Sequence, residues 1–267
     1  MKKYLAIFRI RFVNALQYRA AALAGMATQF AWGFMLILAY SAFYRSNPNA
    51  FPMEFPQMVS YIWMQQAFLL LYTAWIYADD ISAAIESGSI AYEMVRPVDL
   101  YSRWFCQITA SRLARAMLRC VPVLIVAFFV PAPFRMSLPQ NPVVLLMFLF
   151  STVLSLCVVA AYSMLIYISV FYTLSLRGIR TFVGAFTDFL AGAIIPLPFF
   201  PGPLRAILEL SPFAAMQNAP LRIYSGNITG MDAVWAMVLQ IFWLIVLLMI
   251  GRIAISRALK KVVVQGG

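Results

Sequence analysis

The chain has 267 residues, of which 64% are hydrophobic and only 11% are Asp, Glu, Lys or Arg, and its mean hydropathy is +0.86. A soluble fold of this length cannot bury so much apolar surface, so the composition indicates an integral membrane protein. Histidine is absent, and the three cysteines have no CxxC spacing, which excludes histidine-dependent catalysis and argues against a zinc site or a disulfide framework. We therefore expect this chain to have no catalytic residues, no metal site and no bound cofactor.

Residues 1–19 are predicted to form an amphipathic helix at the inner membrane interface. Four apolar side chains recur every three or four residues, and they are Leu5, Phe8, Phe12 and Leu16. Five basic residues lie mostly between them and would face anionic headgroups. A cleaved signal peptide is the alternative interpretation, but Arg9 and Arg11 would interrupt its apolar region.

Six apolar stretches are candidates for membrane-spanning helices, which need about 20 residues each. They are residues 20–44, 58–78, 117–130, 143–172, 182–200 and 233–255. The third stretch is longer by a turn or two if Arg112, Arg115 and Arg119 lie at its inner end. The predicted fold is an all-α polytopic membrane protein in which residues 1–267 form a single transmembrane domain, with both termini on the same side.

The basic residues predict which side that is. With the N-terminus inside, 16 of the 20 Lys and Arg residues lie in cytoplasmic segments or at the inner ends of spans. The four on the other side are Arg45, Arg135, Arg205 and Arg222. This asymmetry predicts cytoplasmic termini, and it accounts for the net charge of +11 without nucleic acid as a partner.

The cytoplasmic segment 79–103 contains five of the nine acidic residues. Its apolar residues form a stripe that the sequence Ser87-Gly88-Ser89 interrupts; they are Ile81, Ile85, Ile90 and Met94. We expect Gly88 to end one short helix, Ser89 to cap the next, and Pro97 to stop it. Two interpretations remain, a solvated connecting loop or a docking element for a cytoplasmic partner.

The late segment 188–212 is predicted to break the fifth span. Four prolines within eight residues cannot continue one helix across the bilayer, and they are Pro196, Pro198, Pro201 and Pro203. We expect a break near Pro196, followed by a re-entrant return through residues 204–210 before Pro212, forming an outer gate. An ordinary extracellular loop that begins at Pro196 is the alternative.

Asp188 is the acidic residue that falls well inside a predicted span. A buried carboxylate is energetically costly unless it is paired or neutral. One expectation is that this side chain faces the subunit interior or a cavity, with a role in substrate binding or gating. The alternative is that it lies near the inner surface with Arg180.

Two of these segments carry a resemblance to a known family. The stretch IESGSIAYEMVRPVDLYSRW, which begins at Ile85, resembles the segment after the second span of ABC type-2 exporter permeases. The stretch DFLAGAIIPLPFFPGPLRAILELSP, which begins at Asp188, is similar to their late outer hairpin. The resemblance implies an ATPase-coupling segment containing Ile85, Glu86, Ser87, Gly88, Ser89, Ile90, Met94, Arg96 and Pro97. It also implies an outer gate containing Gly192, Pro196, Pro198, Pro201 and Pro212.

The resemblance further implies a permease subunit of an ATP-driven exporter in the inner membrane of a prokaryote. Its partners would be an ABC ATPase dimer that binds ATP and Mg²⁺, a second permease that is identical or homologous, and membrane lipids. The substrate would be a lipid, a peptide or an amphipathic compound. The alternatives are a secondary transporter, for which no inverted repeat is visible, and a membrane assembly factor.

Overall fold

A computed structural model describes residues 2–47, 51–74, 79–173 and 175–260, except for the side chains of Arg19 and Asp79. Within these ranges the secondary structure is helical and no strand occurs. The α-helices are α1 Lys2–Leu16, α2 Arg19–Ser46, α3 Phe55–Ala67, α4 Leu69–Tyr72, α5 Asp79–Glu86, α6 Ile90–Met94, α7 Leu100–Phe129, α8 Pro142–Thr173, α9 Arg177–Leu190, α10 Gly202–Glu209, α11 Ala219–Tyr224 and α12 Gly230–Leu259.

Three helices are long and apolar enough to cross a membrane. They contain the candidate spans Ala20–Ser46, Pro142–Thr173 and Gly230–Leu259. At 1.5 Å per residue each exceeds the hydrocarbon thickness of about 30 Å. These helices correspond to the first, fourth and sixth predicted stretches.

The second predicted stretch, residues 58–78, is two helices rather than one. Helix α3 ends at Ala67 and α4 covers Leu69–Tyr72, while residues 75–78 lie outside the described ranges. Every residue of α3 from Met58 to Ala67 is buried, because α2, α7 and α11 pack around it. This stretch therefore lies in the protein core.

The third predicted stretch, residues 117–130, is only the second half of α7. The helix begins 17 residues earlier, at Leu100, where the Asp99 carboxylate accepts a hydrogen bond of 2.9 Å from the Ser102 backbone N–H. Arg112 is buried in this helix and donates to the Thr73 carbonyl at 2.6 Å and to the Ser163 hydroxyl at 3.0 Å. The sequence prediction was too short because these contacts let the helix carry buried arginines.

The predicted fifth span, residues 182–200, is contradicted at its outer end. Helix α9 ends at Leu190, and its 14 residues extend about 21 Å, less than the bilayer core. The chain turns at Gly192, whose φ of +79° lies in the left-handed region, so the break precedes Pro196. A 3-10 turn at Leu197–Phe199, α10, a π-helical turn at Ala214–Asn218 and α11 follow.

Helix α8 is the centre of the packing, in contact with α4, α5, α7, α11, α12 and the π-helical turn. Gln240 of α12 is fully buried there. Its amide nitrogen donates to the Ser155 hydroxyl at 2.9 Å and to the Ala215 carbonyl at 3.0 Å, and its oxygen accepts from the Ser151 hydroxyl at 2.8 Å. These bonds satisfy the buried amide and join three elements.

The N-terminal helix α1 packs along α7. Ala15 is buried there, whereas Leu5 is 70% exposed. The predicted position of this helix at the membrane interface stays a prediction. Arg11 forms an ion pair of 2.7 Å with Asp80, which links α1 to α5. Both side chains are more than a third exposed, so this ion pair adds little stability.

Candidate functional site

A tight turn separates α5 from α6 in the segment 79–103, as predicted. Gly88 has a φ of +73°, a backbone conformation that favours glycine. A Cβ atom at this position would meet no atom within 4 Å. The backbone conformation, and not crowding, therefore selects glycine here.

Ser89 does not cap α6, contrary to the prediction. Its hydroxyl lies 2.9 Å from the Ser87 hydroxyl and 3.5 Å from the Ala84 carbonyl, and it makes no hydrogen bond to the first turn of α6. The prediction was wrong because the reversed chain at Gly88 brings groups of α5 closer to this hydroxyl.

Two of the apolar residues assigned to the partner-facing side point into the protein. Ile85 and Ile90 are 7% and 1% exposed, and they belong to a buried cluster that includes Trp104 and Tyr167. Met94 is 44% exposed. Of the three apolar side chains singled out for coupling, only Met94 faces outward.

Glu93 fixes α6 against the start of α7. Its Oε1 accepts a hydrogen bond from Arg103 Nη2 at 2.9 Å, and its Oε2 accepts one from Trp104 Nε1 at 2.9 Å. Arg103 and Trp104 are both buried. A carboxylate with a charge-assisted bond and a second donor at its other oxygen holds a short helix in one position.

Glu86 joins this segment to the residue that precedes α9. Its Oε1 accepts a hydrogen bond of 2.9 Å from the backbone N–H of Leu176, which immediately precedes α9. The two residues are 90 positions apart in the chain. Glu86, a predicted site residue, thus connects α5 to the beginning of α9.

The outward side of α6 and the following turn presents an apolar surface. We call Tyr92, Met94 and Val95, which are 77%, 44% and 81% exposed, the cytoplasmic patch, a name that follows the orientation predicted from the basic residues. Arg96 and Pro97 are exposed beside it. Sequence analysis missed Tyr92 and Val95, although their spacing of three residues places them on one side of a helix.

The segment from residue 191 to residue 227, here called the outer hairpin, is held along α3. The Gln65 amide donates to the Ala193 carbonyl at 2.8 Å, and the Gln57 amide donates to the Gly226 carbonyl at 3.3 Å. The two glutamines are eight residues apart, or about 12 Å along the helix. The hairpin therefore begins beside the last turn of α3 and ends beside its first turn.

The predicted gate residues occupy the turns of this hairpin. A Cβ atom at Gly192 would lie 3.0 Å from the Leu197 backbone nitrogen. Pro196 directly precedes the 3-10 turn, Pro198 is its second residue, and Pro201 directly precedes α10. Pro212 follows the end of α10. The prolines thus flank or begin short helices, where their missing N–H costs no helical hydrogen bond.

An ion-pair cluster in the hairpin was missed by sequence analysis. Glu209 Oε1 accepts from Arg205 Nε at 2.9 Å and from Arg222 Nη1 at 2.5 Å. Arg222 Nε also donates to Asn227 Oδ1 at 2.6 Å. The four-residue spacing of Arg205 and Glu209 was the available signal, since it places both on one side of a helix.

Asp188 is half-buried on α9. Arg180 lies eight residues earlier on the same helix, about 12 Å away along its axis. Both expectations for Asp188, an interior or cavity-facing role and a place near the inner surface with Arg180, stay predictions.

Comparison with known sequences identifies one family. The sequence model described as "ABC-2 family transporter protein" matches residues 30–266, a range that includes the cytoplasmic patch, the outer hairpin and all of α12. No curated protein matches the chain.

Proposed function

The chain belongs to the ABC-2 family of transporter proteins, and we propose that it is the permease subunit of an exporter that a separate ABC ATPase dimer powers. In this proposal ATP and Mg²⁺ bind the ATPase, and the permease has no catalytic residues of its own. The permease moves a lipid, a peptide or an amphipathic compound outward. The observation that carries the proposal is the cytoplasmic patch.

An exposed apolar surface on the cytoplasmic side of a membrane protein favours an interface with another protein. Tyr92 and Val95 are more than three-quarters exposed, while Glu93 between them is fixed to Arg103. The patch is therefore held in place, and its exposure does not come from an unanchored loop. Movement of an ATPase bound here would reach α7 through Glu93 and α9 through Glu86.

The orientation follows from the basic residues and is part of the proposal. Both termini are cytoplasmic, and residues 45–57, 131–142 and 201–230 reach the other side. Cysteine substitutions at Asn47 and Lys260, in a variant without native cysteines, should be labelled from opposite sides of the membrane. Labelling of Asn47→Cys only from the cytoplasm contradicts this topology.

We also propose a second permease, identical or homologous, beside this one. Helix α9 is short for a span and exposes Phe182 and Phe186, which are 73% and 52% exposed and stack on each other. A second permease would cover this surface and the polar backbone at the hairpin. The mass of the intact complex tests this, and one permease chain per complex contradicts it.

The ATPase contact is tested by the double substitution Tyr92→Ser and Val95→Ser. Because both side chains are exposed, the variant should insert normally but retain about a tenth or less of the ATPase that copurifies with the wild type. ATP hydrolysis coupled to transport should fall in parallel. The matched control is Ile207→Ser, which changes a 68% exposed apolar residue on α10. Full ATPase retention by the double variant at equal membrane levels would show that the patch is not the contact.

A further inference from the structure

A cavity of about 440 Å³ lies between α10, the π-helical turn, α11 and the first turns of α12. In the orientation proposed above, these elements lie at the outer face of the membrane. Its polar and aromatic lining includes Arg205, Glu209, Asn218, Arg222, Asp232 and Trp235. The two arginines balance the two acids, so the lining has no net charge.

Not every charged group in this cavity is fully paired with another group of the cavity. Glu209 accepts from Arg205 Nε and Arg222 Nη1. In the described structure the two Nη groups of Arg205 make no hydrogen bond, and Asp232 forms no ion pair. Asp232 is exposed at the start of α12. The cavity therefore offers a guanidinium group and a carboxylate at separate positions.

Asn218 provides an independent sign that this cavity is a ligand site. Asn218 lines the cavity and is 3% exposed, yet its Oδ1 has no hydrogen-bond partner within the described residues. A buried amide oxygen without a donor is unfavourable. A ligand that brings N–H or O–H groups into this cavity would relieve that cost.

One wall of the cavity is continuous with the membrane-facing side of α12. Trp235 and Leu239 line it, and Trp235 is 59% exposed. Further along the helix, Val238 and Phe242 are also exposed. A tryptophan beside charged groups at the end of an apolar helix face is typical of headgroup depth. The geometry suits an amphiphile whose acyl chains lie along α12.

We propose that this cavity binds the headgroup of an outer-leaflet phospholipid that carries both a phosphodiester and a primary ammonium. The phosphate binds the Nη groups of Arg205, and the ammonium donates to Asp232 and Asn218. A zwitterion matches the neutral lining better than an anionic lipid does. A trimethylammonium group has no N–H to donate, so the site should discriminate against choline headgroups.

The test is native mass spectrometry of the purified full chain with short-chain phosphatidylethanolamine, phosphatidylcholine, phosphatidylglycerol and soluble phosphoethanolamine. Phosphatidylethanolamine should bind at least about tenfold more tightly than the other three, the difference expected for one good charge-assisted contact. Arg205→Gln and Asp232→Asn should each weaken it about tenfold. Arg135→Gln, a change at an exposed outer arginine outside the cavity, should not. Elution of each variant as a single species shows that weaker binding does not come from misfolding. Unchanged copurification of the ATPase shows that the result is independent of the proposed function.

Two results overturn the proposal. Equal binding of phosphatidylethanolamine and phosphatidylcholine shows that the ammonium is not recognised, and unchanged binding by both cavity variants shows that the lipid binds elsewhere. Binding of phosphoethanolamine as tight as that of the phospholipid overturns the lipid assignment, because a soluble zwitterion would then be the ligand.

Discussion

The cytoplasmic segment and the outer hairpin are both short-helix regions between longer helices, but they are fixed in different ways. In the cytoplasmic segment, Glu86 bonds to Leu176 and Glu93 bonds to Trp104, both of which lie outside the segment, and Glu93 also pairs with Arg103 at its end. In the hairpin, Glu209 bonds within the hairpin, to Arg205 and Arg222. The cytoplasmic segment also exposes its apolar patch, whereas every residue of α11 is buried.

Because of this difference, substitutions in the two regions should have different effects. Glu86 and Glu93 connect the cytoplasmic segment to other helices, so their loss should change the surface that a partner can bind. The hairpin cluster is local, so its loss should change the stability of the outer side without changing the cytoplasmic surface. The predictions below test this separation, beginning with the largest expected effect.

Glu93→Ala should have the largest effect. It leaves the Arg103 guanidinium, whose side chain is 10% exposed, without its carboxylate, and it removes the acceptor of the Trp104 N–H. Breaking such a pair costs about 3 kcal/mol of unfolding free energy. We expect a lower thermal unfolding midpoint in detergent together with loss of the ATPase.

The control is Glu93→Gln, which keeps an acceptor oxygen and should lose less of both. An alanine variant with wild-type ATPase binding would show that the position of α6 does not govern the cytoplasmic surface.

Gly192→Ala should destabilise the outer hairpin and leave ATPase binding unchanged. The new Cβ would lie 3.0 Å from the Leu197 backbone nitrogen, in a backbone conformation with φ of +79°. Together these effects cost about 2 kcal/mol. Thermal unfolding measures it, with Gly202→Ala as control, because a Cβ there meets nothing within 4 Å. Loss of the ATPase at matched membrane level would contradict the separation of the two regions.

Unlike Gly192→Ala, the substitution Gly88→Ala should mainly affect ATPase binding. Its Cβ has free space, but a φ of +73° is unfavourable for alanine by about 1 kcal/mol. We expect the turn to rearrange and reduce ATPase copurification, with little change in the amount of inserted protein. Gly178→Ala also places a Cβ in open space on the cytoplasmic side, without a positive φ, and should bind the ATPase normally. Equal behaviour of the two variants would count against a role for this turn.

The smallest effect concerns Asp99 at the start of α7. Burial raises the pKa of its carboxyl, but the hydrogen bonds from Ser102 and the charge of Arg252 outweigh burial and hold the pKa below its usual range. The folded carboxyl therefore has a lower pKa than the unfolded one. Its stabilisation is complete above the unfolded value of about 4 and is lost as the pH falls through the folded pKa.

Asp99→Asn should remove this acid dependence and cost under about 1 kcal/mol at neutral pH, since asparagine also caps helices. Unfolding midpoints measured between pH 3 and pH 7 would check it. A variant that keeps the wild-type slope shows that another carboxyl is responsible.

Glycine and proline residues made the turns of both regions predictable from the sequence. Gly88, Pro196 and Pro201 restrict the backbone locally, and the turns lie at or near them. The long apolar helices α8 and α12 were equally predictable from the sequence, because each contains an apolar stretch longer than a membrane span requires.

Contacts between distant residues could not be obtained in this way. The inward direction of Ile85 depends on α7 and α8, and the long course of α7 depends on the partners of Arg112. The end of α9 at Leu190 depends on a turn that glycine permits but does not require. The Glu86 bond to Leu176 joins positions 90 residues apart, which no local pattern specifies.

The bond between Glu86 and Leu176 also bears on the entropy of complex formation. It ties Leu176, directly before α9, to α5, so that these two positions are already fixed relative to each other in the free chain. A flexible loop must lose conformational freedom when it binds, at a cost of about 1 kcal/mol for each residue that becomes fixed. A partner that binds this prearranged surface avoids much of that cost. A contact area as small as three side chains can then contribute a useful share of the affinity.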